Sequence, residues 1–263
     1  MADDGSQQHV SAEDPYGDHR LVIAIDGPAA AGKTTVARAV AEELGAILLD
    51  TGVLYRALTL KALRSDADLA DGDALAGLAR EHHIDIVPLS RDDGRLYDVL
   101  LDGDDVTWEI RTSAVDTSVS VVAAHGPVRN ALLPVQRRIA ASRGPIVMVG
   151  RDIGTTVVPN AGTKIFLNAS PEERARRRLH ELHERGVVAE IDQLTEELRH
   201  RDELDRSRTT SPLRPADDAI IVDTDGQSIE TVVALVEELV RVAWERLGVA
   251  DPATSLLNGN SSA

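Results

Sequence analysis

The sequence contains no cysteine, so neither a disulfide nor a thiolate-held metal can belong to it. Aromatic residues make up only 2% of it, while hydrophobic residues make up 43%. Its core must therefore be aliphatic and alanine-rich. It is almost without lysine: Lys33, Lys61 and Lys164 are the only ones, and every other long basic side chain is arginine. Genome base composition alone can produce that bias. A phosphate-handling site gives another reason for it, because the guanidinium fork meets phosphate oxygens two at a time. An excess of positive charge is missing too. The formal net charge is −16, which argues against a broad grip on polymeric nucleic acid or an anionic membrane. No apolar run approaches the ~20 residues of a membrane span, and the amino terminus has no apolar signal region. The expectation is a cytoplasmic protein whose local basic clusters serve small anions. The length of 263 residues suits one α/β domain with an insertion, or two small domains.

What is present is organised around Gly27-Pro28-Ala29-Ala30-Ala31-Gly32-Lys33-Thr34, the pattern G-x-x-x-x-G-K-[ST]. An apolar stretch of strand length, Leu21–Ile25, precedes it. A helix-like stretch follows from Thr34 to Leu44, with Val36, Ala37, Val40, Ala41 and Leu44 on one face. Strand, glycine loop and helix in that order make a phosphate-binding loop. Backbone N–H groups converge on a polyphosphate, and the helix N-terminus adds positive potential. Lys33 can reach the β- and γ-phosphates, and the Thr34 hydroxyl can ligate Mg²⁺. The motif implies a nucleoside triphosphate without specifying the reaction.

The rest of the chain reads as an α/β succession. Residues 1–19 form an acidic arm expected to be disordered, and 251–263 a disordered tail. Ala46–Asp50 is a strand that turns through Thr51-Gly52 into a helix carrying Tyr55 and Arg56. These two are placed to hold a base and a phosphate, or to serve as a packing tyrosine and a surface arginine. Three β-like runs, Ile84–Leu89, Leu96–Leu101 and Val106–Trp108, are separated by Asp93-Gly94 and Asp102-Gly103 and predict a three-stranded antiparallel meander. Two helices follow over 112–124 and 128–142, with Pro134 kinking or dividing the second. Pro145–Val149 is a buried-type strand, and Arg151 and Asp152 lie just beyond its carboxyl end, where open parallel sheets bind ligands. After a strand at Lys164–Leu167, Ser170-Pro171-Glu172-Glu173 has the form of a capping box. The helix it opens carries Arg174, Arg176, Arg177 and Arg178; the next segment carries Arg199, Arg201, Arg206 and Arg208. Interleaved glutamates fit a pair of solvated helices. A mobile lid closing over ATP fits equally. Arg201, Asp205 and Arg208 share one face of a continuing helix. A last strand, Ala219–Thr224, and an amphipathic helix, 228–247, complete the pattern.

In this order the motifs Asp26–Thr35, Leu49–Arg56, Glu109–Thr112, Gly150–Thr155, Lys164–Leu167 and Arg201–Arg208 resemble those of the bacterial cytidylate kinases, within the nucleoside monophosphate kinase group. The likeness runs from about residue 19 to 249. It implies a three-layer P-loop fold, with a parallel sheet flanked by helices. The implied divisions are a core of 20–64, 110–169 and 215–249, a β-rich monophosphate-binding insertion of 65–109, and an arginine-rich helical lid of 170–214. It implies transfer of the γ-phosphoryl group of ATP to CMP or dCMP with Mg²⁺, by a monomer without nucleic-acid polymer or membrane partners. By motif position, Gly27 to Thr35 bind ATP, and Lys33, Arg151 and Arg201 carry catalysis. Thr51, Tyr55, Arg56, Ser120, Arg129, Arg151, Asp152, Arg201, Asp205 and Arg208 bind the acceptor. Within that set Ser120, Arg129 and Asp152 read cytosine, and Thr34 holds the metal. Thr51 stands where serine is expected in many members; the hydroxyl is kept. The rival readings are a P-loop kinase acting on another monophosphate or on a metabolite such as shikimate, and a GTP-binding switch. The switch needs Asn-Lys-x-Asp, and no asparagine here precedes a lysine.

Overall fold

The computed structural model describes residues 19–249, except 88, 142–143 and 185. The expected arm, apart from His19, and the expected tail lie outside the described residues. His19 itself belongs to the fold: it is buried, its Nδ1 lies 2.8 Å from Asn160 Oδ1, and its carbonyl accepts from Val22 and Gly162.

Five short aliphatic strands make one parallel sheet: β1 (Val22–Asp26), β2 (Ile47–Asp50), β6 (Ile146–Gly150), β7 (Thr163–Asn168) and β8 (Ile220–Asp223), in the order β2-β6-β1-β7-β8. β1 is central and buried on both faces, which explains its unbroken run of Val, Ile and Ala. One face packs on α1 (Lys33–Glu43) and α8 (Ile229–Arg246), where Val36, Val40, Val236, Val240 and Trp244 meet Ile23 and Ile25. The other face closes over Ala24, Met148, Ile153 and Val157. Register decides where ligands can bind. Asp26 lies level with Gly150 on one side and Phe166 on the other, so the phosphate loop and the turn after β6 leave the sheet side by side.

A second apolar cluster joins α2 (Gly52–Arg64), α3 (Gly72–Glu81), α4 (Ser113–Ala124) and α5 (Gly126–Ala140) to a small antiparallel sheet, β3 (Ile84–Val87), β4 (Asp98–Leu101) and β5 (Asp104–Asp105). This cluster crosses the expected boundary at 109/110, because α4 and α5 pack with the insertion and α2. Pro134 lies inside an undivided α5. The expected helix end at Ser142 falls on an undescribed residue.

The meander differs from its expectation in two places. Asp102 and Gly103 both have positive φ, 55° and 92°, so the tight hairpin pairs Leu101 with Asp104 at once. The third strand is therefore Asp104–Asp105 rather than Val106–Trp108. Val106 N–H still donates to the Val99 carbonyl, and the Thr107 hydroxyl accepts the Val99 N–H. Asp93-Gly94 is not a tight hairpin. It belongs to a long connection held by Arg95, whose guanidinium donates to Asp93, Asp98 and Asp105 at 2.7–2.8 Å.

The last helices, α6 (Pro171–Glu184) and α7 (Ile191–Ser207), pack as a pair against the phosphate loop through Ala29, Ala175, Leu194 and Leu198. Half of the expected capping box forms. Ser170 Oγ accepts from Glu173 N–H, but the Ser170 N–H goes to Asp225, leaving Glu173 to pair with Arg176 and Arg177. No helix among the described residues is long and apolar enough to cross a membrane.

Trp244 is the largest fully buried side chain. Truncating Trp244→Ala should cost roughly 3–5 kcal/mol of stability. Urea unfolding measures this, and a loss under ~1 kcal/mol would contradict the packing described.

Candidate active site

The loop from Gly27 to Gly32 is held by conformations that only certain residues accept. Gly27 has φ +149°, and a β-carbon there would sit 2.1 Å from the Leu167 carbonyl. Gly32, with φ 84°, is the left-handed residue from which α1 starts, and no side chain caps that helix. Its first amides are therefore free of a side-chain partner, a favourable arrangement for an anion. Lys33 folds back so that Nζ donates to Pro28 O at 2.6 Å. Burial, then the nearby Arg151, pulls the Lys33 ammonium well below its ordinary pKa. The Thr34 hydroxyl donates to Asp50 Oδ2 at 3.1 Å, while Asp50 Oδ1 caps the next helix through Gly52 N–H at 2.9 Å. Asp50 was legible as a strand-end residue but was not singled out from the sequence.

Facing the loop is a cluster of arginines. Arg151 donates through Nη1 to Gly27 O at 2.8 Å, and its Nε lies 2.7 Å from Asp205 Oδ2 on α7. Arg208 leaves the end of α7 and turns back to Asp205 Oδ1. Asp205 thus gathers two of the expected acceptor arginines. Arg56 bonds Asp116 at 2.6 Å and the Ile110 carbonyl at 3.0 Å. Arg201 differs from the others. It makes no hydrogen bond or ion pair among the described residues, and burial, with Arg151 the next cause, lowers its pKa to about 10.

Next to this cluster, Arg129 Nη2 lies 2.6 Å from Asp152 Oδ1, both side chains being buried. The Arg129 guanidinium stacks 5.3 Å from the Tyr55 ring centre, and Gln136 Nε2 donates to Tyr55 Oη at 3.4 Å. A small cavity opens there between Tyr55, Arg129, Gln136 and Asp152. The Nε atoms of Arg129 and Arg208 are buried without a hydrogen-bond partner among the described residues. Gln136 was missed at the sequence level, because a lone glutamine in a helix carries no pattern. Ser120 is half-buried on α4, and no described hydrogen bond links it to Arg129 or Asp152. Thr51 spends its hydroxyl on the Val149 carbonyl at 3.0 Å.

The solvated reading left open above covers only some of the arginines of α6 and α7. Arg176, Arg178 and Arg199 are solvent-facing and paired with Glu173, Glu181 and Glu172. Arg174 is buried against Asp202 instead.

A parallel sheet with a lysine-bearing phosphate loop, set beside converging arginines at its carboxyl edge, defines a P-loop phosphotransferase. A model of the cytidylate kinase family matches residues 23–242. A cytidylate kinase from Geobacillus kaustophilus is 49% identical over 229 residues, covering 87% of this chain and 99% of the relative. Another from Pelotomaculum thermopropionicum is 50% identical over 214 residues, 81% of this chain and 93% of the relative. Among solved structures, a gluconokinase from Sinorhizobium meliloti 1021 aligns over 88% of this chain and 97% of its own, at 16% identity and a TM-score of 0.45. The chain belongs to the cytidylate kinase family, and so to the nucleoside monophosphate kinases.

At the root of the loop, Asp26 accepts Ile153 N–H at 2.9 Å and Gly154 N–H at 2.8 Å. Burial raises its carboxyl pKa to about 7 against those two bonds. A raised folded-state value favours the protonated form, so this group's stability contribution is full below pH ~4 and is lost as pH rises through about 7. The parent should therefore lose roughly 3 kcal/mol relative to Asp26→Asn between pH 5 and pH 8. Urea unfolding of both proteins at the two pH values checks the sign. A parent that gains on the variant as pH rises would reverse it.

Proposed function

We propose that the chain phosphorylates CMP and dCMP to CDP and dCDP with ATP, by in-line transfer of the γ-phosphoryl group. The observation that carries this reading is Arg201: a half-buried guanidinium with no hydrogen bond or ion pair among the described residues, crowded by Arg151, Arg56 and Arg208, on the same side as Lys33. Such crowding is unfavourable unless an anion shares it. Lys33 and the loop amides would hold the donor phosphates; Arg56, Arg151 and Arg201 would hold the acceptor phosphate. An ionised phosphate oxygen is already nucleophilic, so alignment and charge are what the protein has to supply.

Thr34 and Asp50 fit a magnesium ion, which takes hard oxygen ligands. Among the described residues no cluster of three His, Cys, Asp or Glu could hold a metal, so the phosphates would complete the shell. When bound, the ion would supply positive charge to the β- and γ-oxygens.

The Asp152 carboxylate and the spare Arg129 Nε offer an acceptor beside a donor. Cytosine presents the complementary pair, an amino donor and the N3 acceptor. Uracil reverses it and would strand buried groups at roughly 1–3 kcal/mol each. Asp205 and Arg208 would meet the sugar or phosphate, and a cytoplasmic setting suits the reaction.

The test is ADP release in a coupled assay with Mg-ATP and CMP, dCMP, UMP or AMP, with Lys33→Ala as control. CMP- and dCMP-dependent turnover, lost in the control, is expected; faster turnover with UMP or AMP would overturn the acceptor assignment. Arg151→Ala should weaken capture of every monophosphate. Asp152→Ala should shrink the CMP-over-UMP preference in kcat/KM by about 10- to 100-fold. Equal loss on both substrates in the Asp152 variant would remove it from base selection.

A further inference from the structure

Two arginines of α6 touch the phosphate loop at its backbone carbonyls. Arg174 is 1% exposed. Its Nε donates to Ala169 O at 3.0 Å, and its Nη1 to Ala29 O at 3.1 Å. The same fork grips Asp202 of α7 at two points, 3.1 and 2.5 Å. One turn further, Arg177 Nη1 lies 3.5 Å from Ala31 O, while Thr224 takes Nη1 through its hydroxyl at 3.0 Å and Nη2 through its carbonyl at 2.6 Å. Asp202 sits next to Arg201 in sequence and three residues before Asp205.

The peptide unit turns these carbonyl contacts into a statement about amides. C=O and N–H point in opposite directions across a trans peptide, and no cis peptide bond occurs among the described residues. A carbonyl drawn toward α6 therefore turns the following N–H away from α6. For Ala29 O that amide is Ala30 N–H; for Ala31 O it is Gly32 N–H. Ala30 also has φ +58°, a left-handed conformation that is unfavourable for an alanine. The loop does not adopt this form by local preference, so contacts from outside must hold it.

We propose that Arg174, locked by Asp202, is a positioning residue that keeps the 29–30 peptide turned with its N–H toward the triphosphate, and that Arg177 does the same more weakly for the 31–32 peptide. The inference rests on the reading of Gly27 to Thr34 as the ATP cradle. It separates two arginines from the rest of the arginine-rich helices: they act on the loop rather than on the nucleotide.

The experiment is titration calorimetry with ATP and, separately, with CMP, on the parent and on Arg174→Met/Asp202→Leu. That double variant replaces a buried ion pair by apolar groups of similar size, a change that folds often tolerate. The parent should bind ATP and Lys33→Ala should not; a parent that fails to bind ATP overturns the cradle reading and this inference with it. In the double variant ATP should bind about tenfold or more weakly, the equivalent of one charge-assisted hydrogen bond, with CMP affinity kept within about threefold. Parent-like ATP affinity overturns the proposal, and so does an equal loss for ATP and CMP, which would mark a general loosening. Should the double variant not fold, Arg177→Gln decides. It alters a partly exposed residue, and selective weakening of ATP by about threefold or more supports the proposal, whereas unchanged ATP binding overturns it.

Discussion

Arg151 is where the separate parts of this chain are fastened together. Its guanidinium holds the carbonyl of Gly27 at the root of the phosphate loop and the carboxylate of Asp205 on α7. Its backbone belongs to the turn after β6 that Asp26 secures through Ile153 and Gly154. A single residue thus ties together the loop, the buried pair Arg129–Asp152 and the helix that presents Arg201. Positional accuracy of this kind matters more in phosphoryl transfer than in reactions that use a protein nucleophile, because alignment and charge are most of the catalysis.

The same bond shows how a protein of net charge −16 keeps a cationic cleft. Each arginine that faces the cleft, Arg201 excepted, is tethered to a carboxylate: Arg56 to Asp116, Arg151 and Arg208 to Asp205, Arg129 to Asp152. The tethers orient the guanidinium groups and limit their mutual repulsion. They also leave individual donors, such as Arg129 Nε and Arg208 Nε, uncommitted.

Much of this was legible in the sequence, for reasons that can be stated. Strand, glycine loop and helix are contiguous, so local pattern located the phosphate loop and its lysine. The rule that ligands bind beyond the carboxyl ends of parallel strands located Arg151 and Asp152 from the apolar run before them. What escaped was long-range or conformational. The bonds from Asp26 join residues more than a hundred positions apart, and no periodicity records them. Arg174 sits among glutamates in a stretch that looks solvated, and only the packing of α6 on the loop buries it. The third strand of the meander moved because both turn residues, Asp102 and Gly103, take positive φ and start pairing immediately. The expected capping box lost half its bonds to Asp225, a competitor 55 residues away.

The scarcity of lysine has a consequence for chemical modification. Lys164 is held by Asp218 and the Pro159 carbonyl, and Lys61 lies 3.7 Å from Asp102. At Lys33, burial and then Arg151 favour the neutral amine, against the pull of Asp50 and Asp26. An amine-acylating reagent therefore meets few lysines on this protein, and one of them lies in the phosphate loop. Acylation at Lys33, read by mass spectrometry, becomes a covalent report on whether the loop is filled.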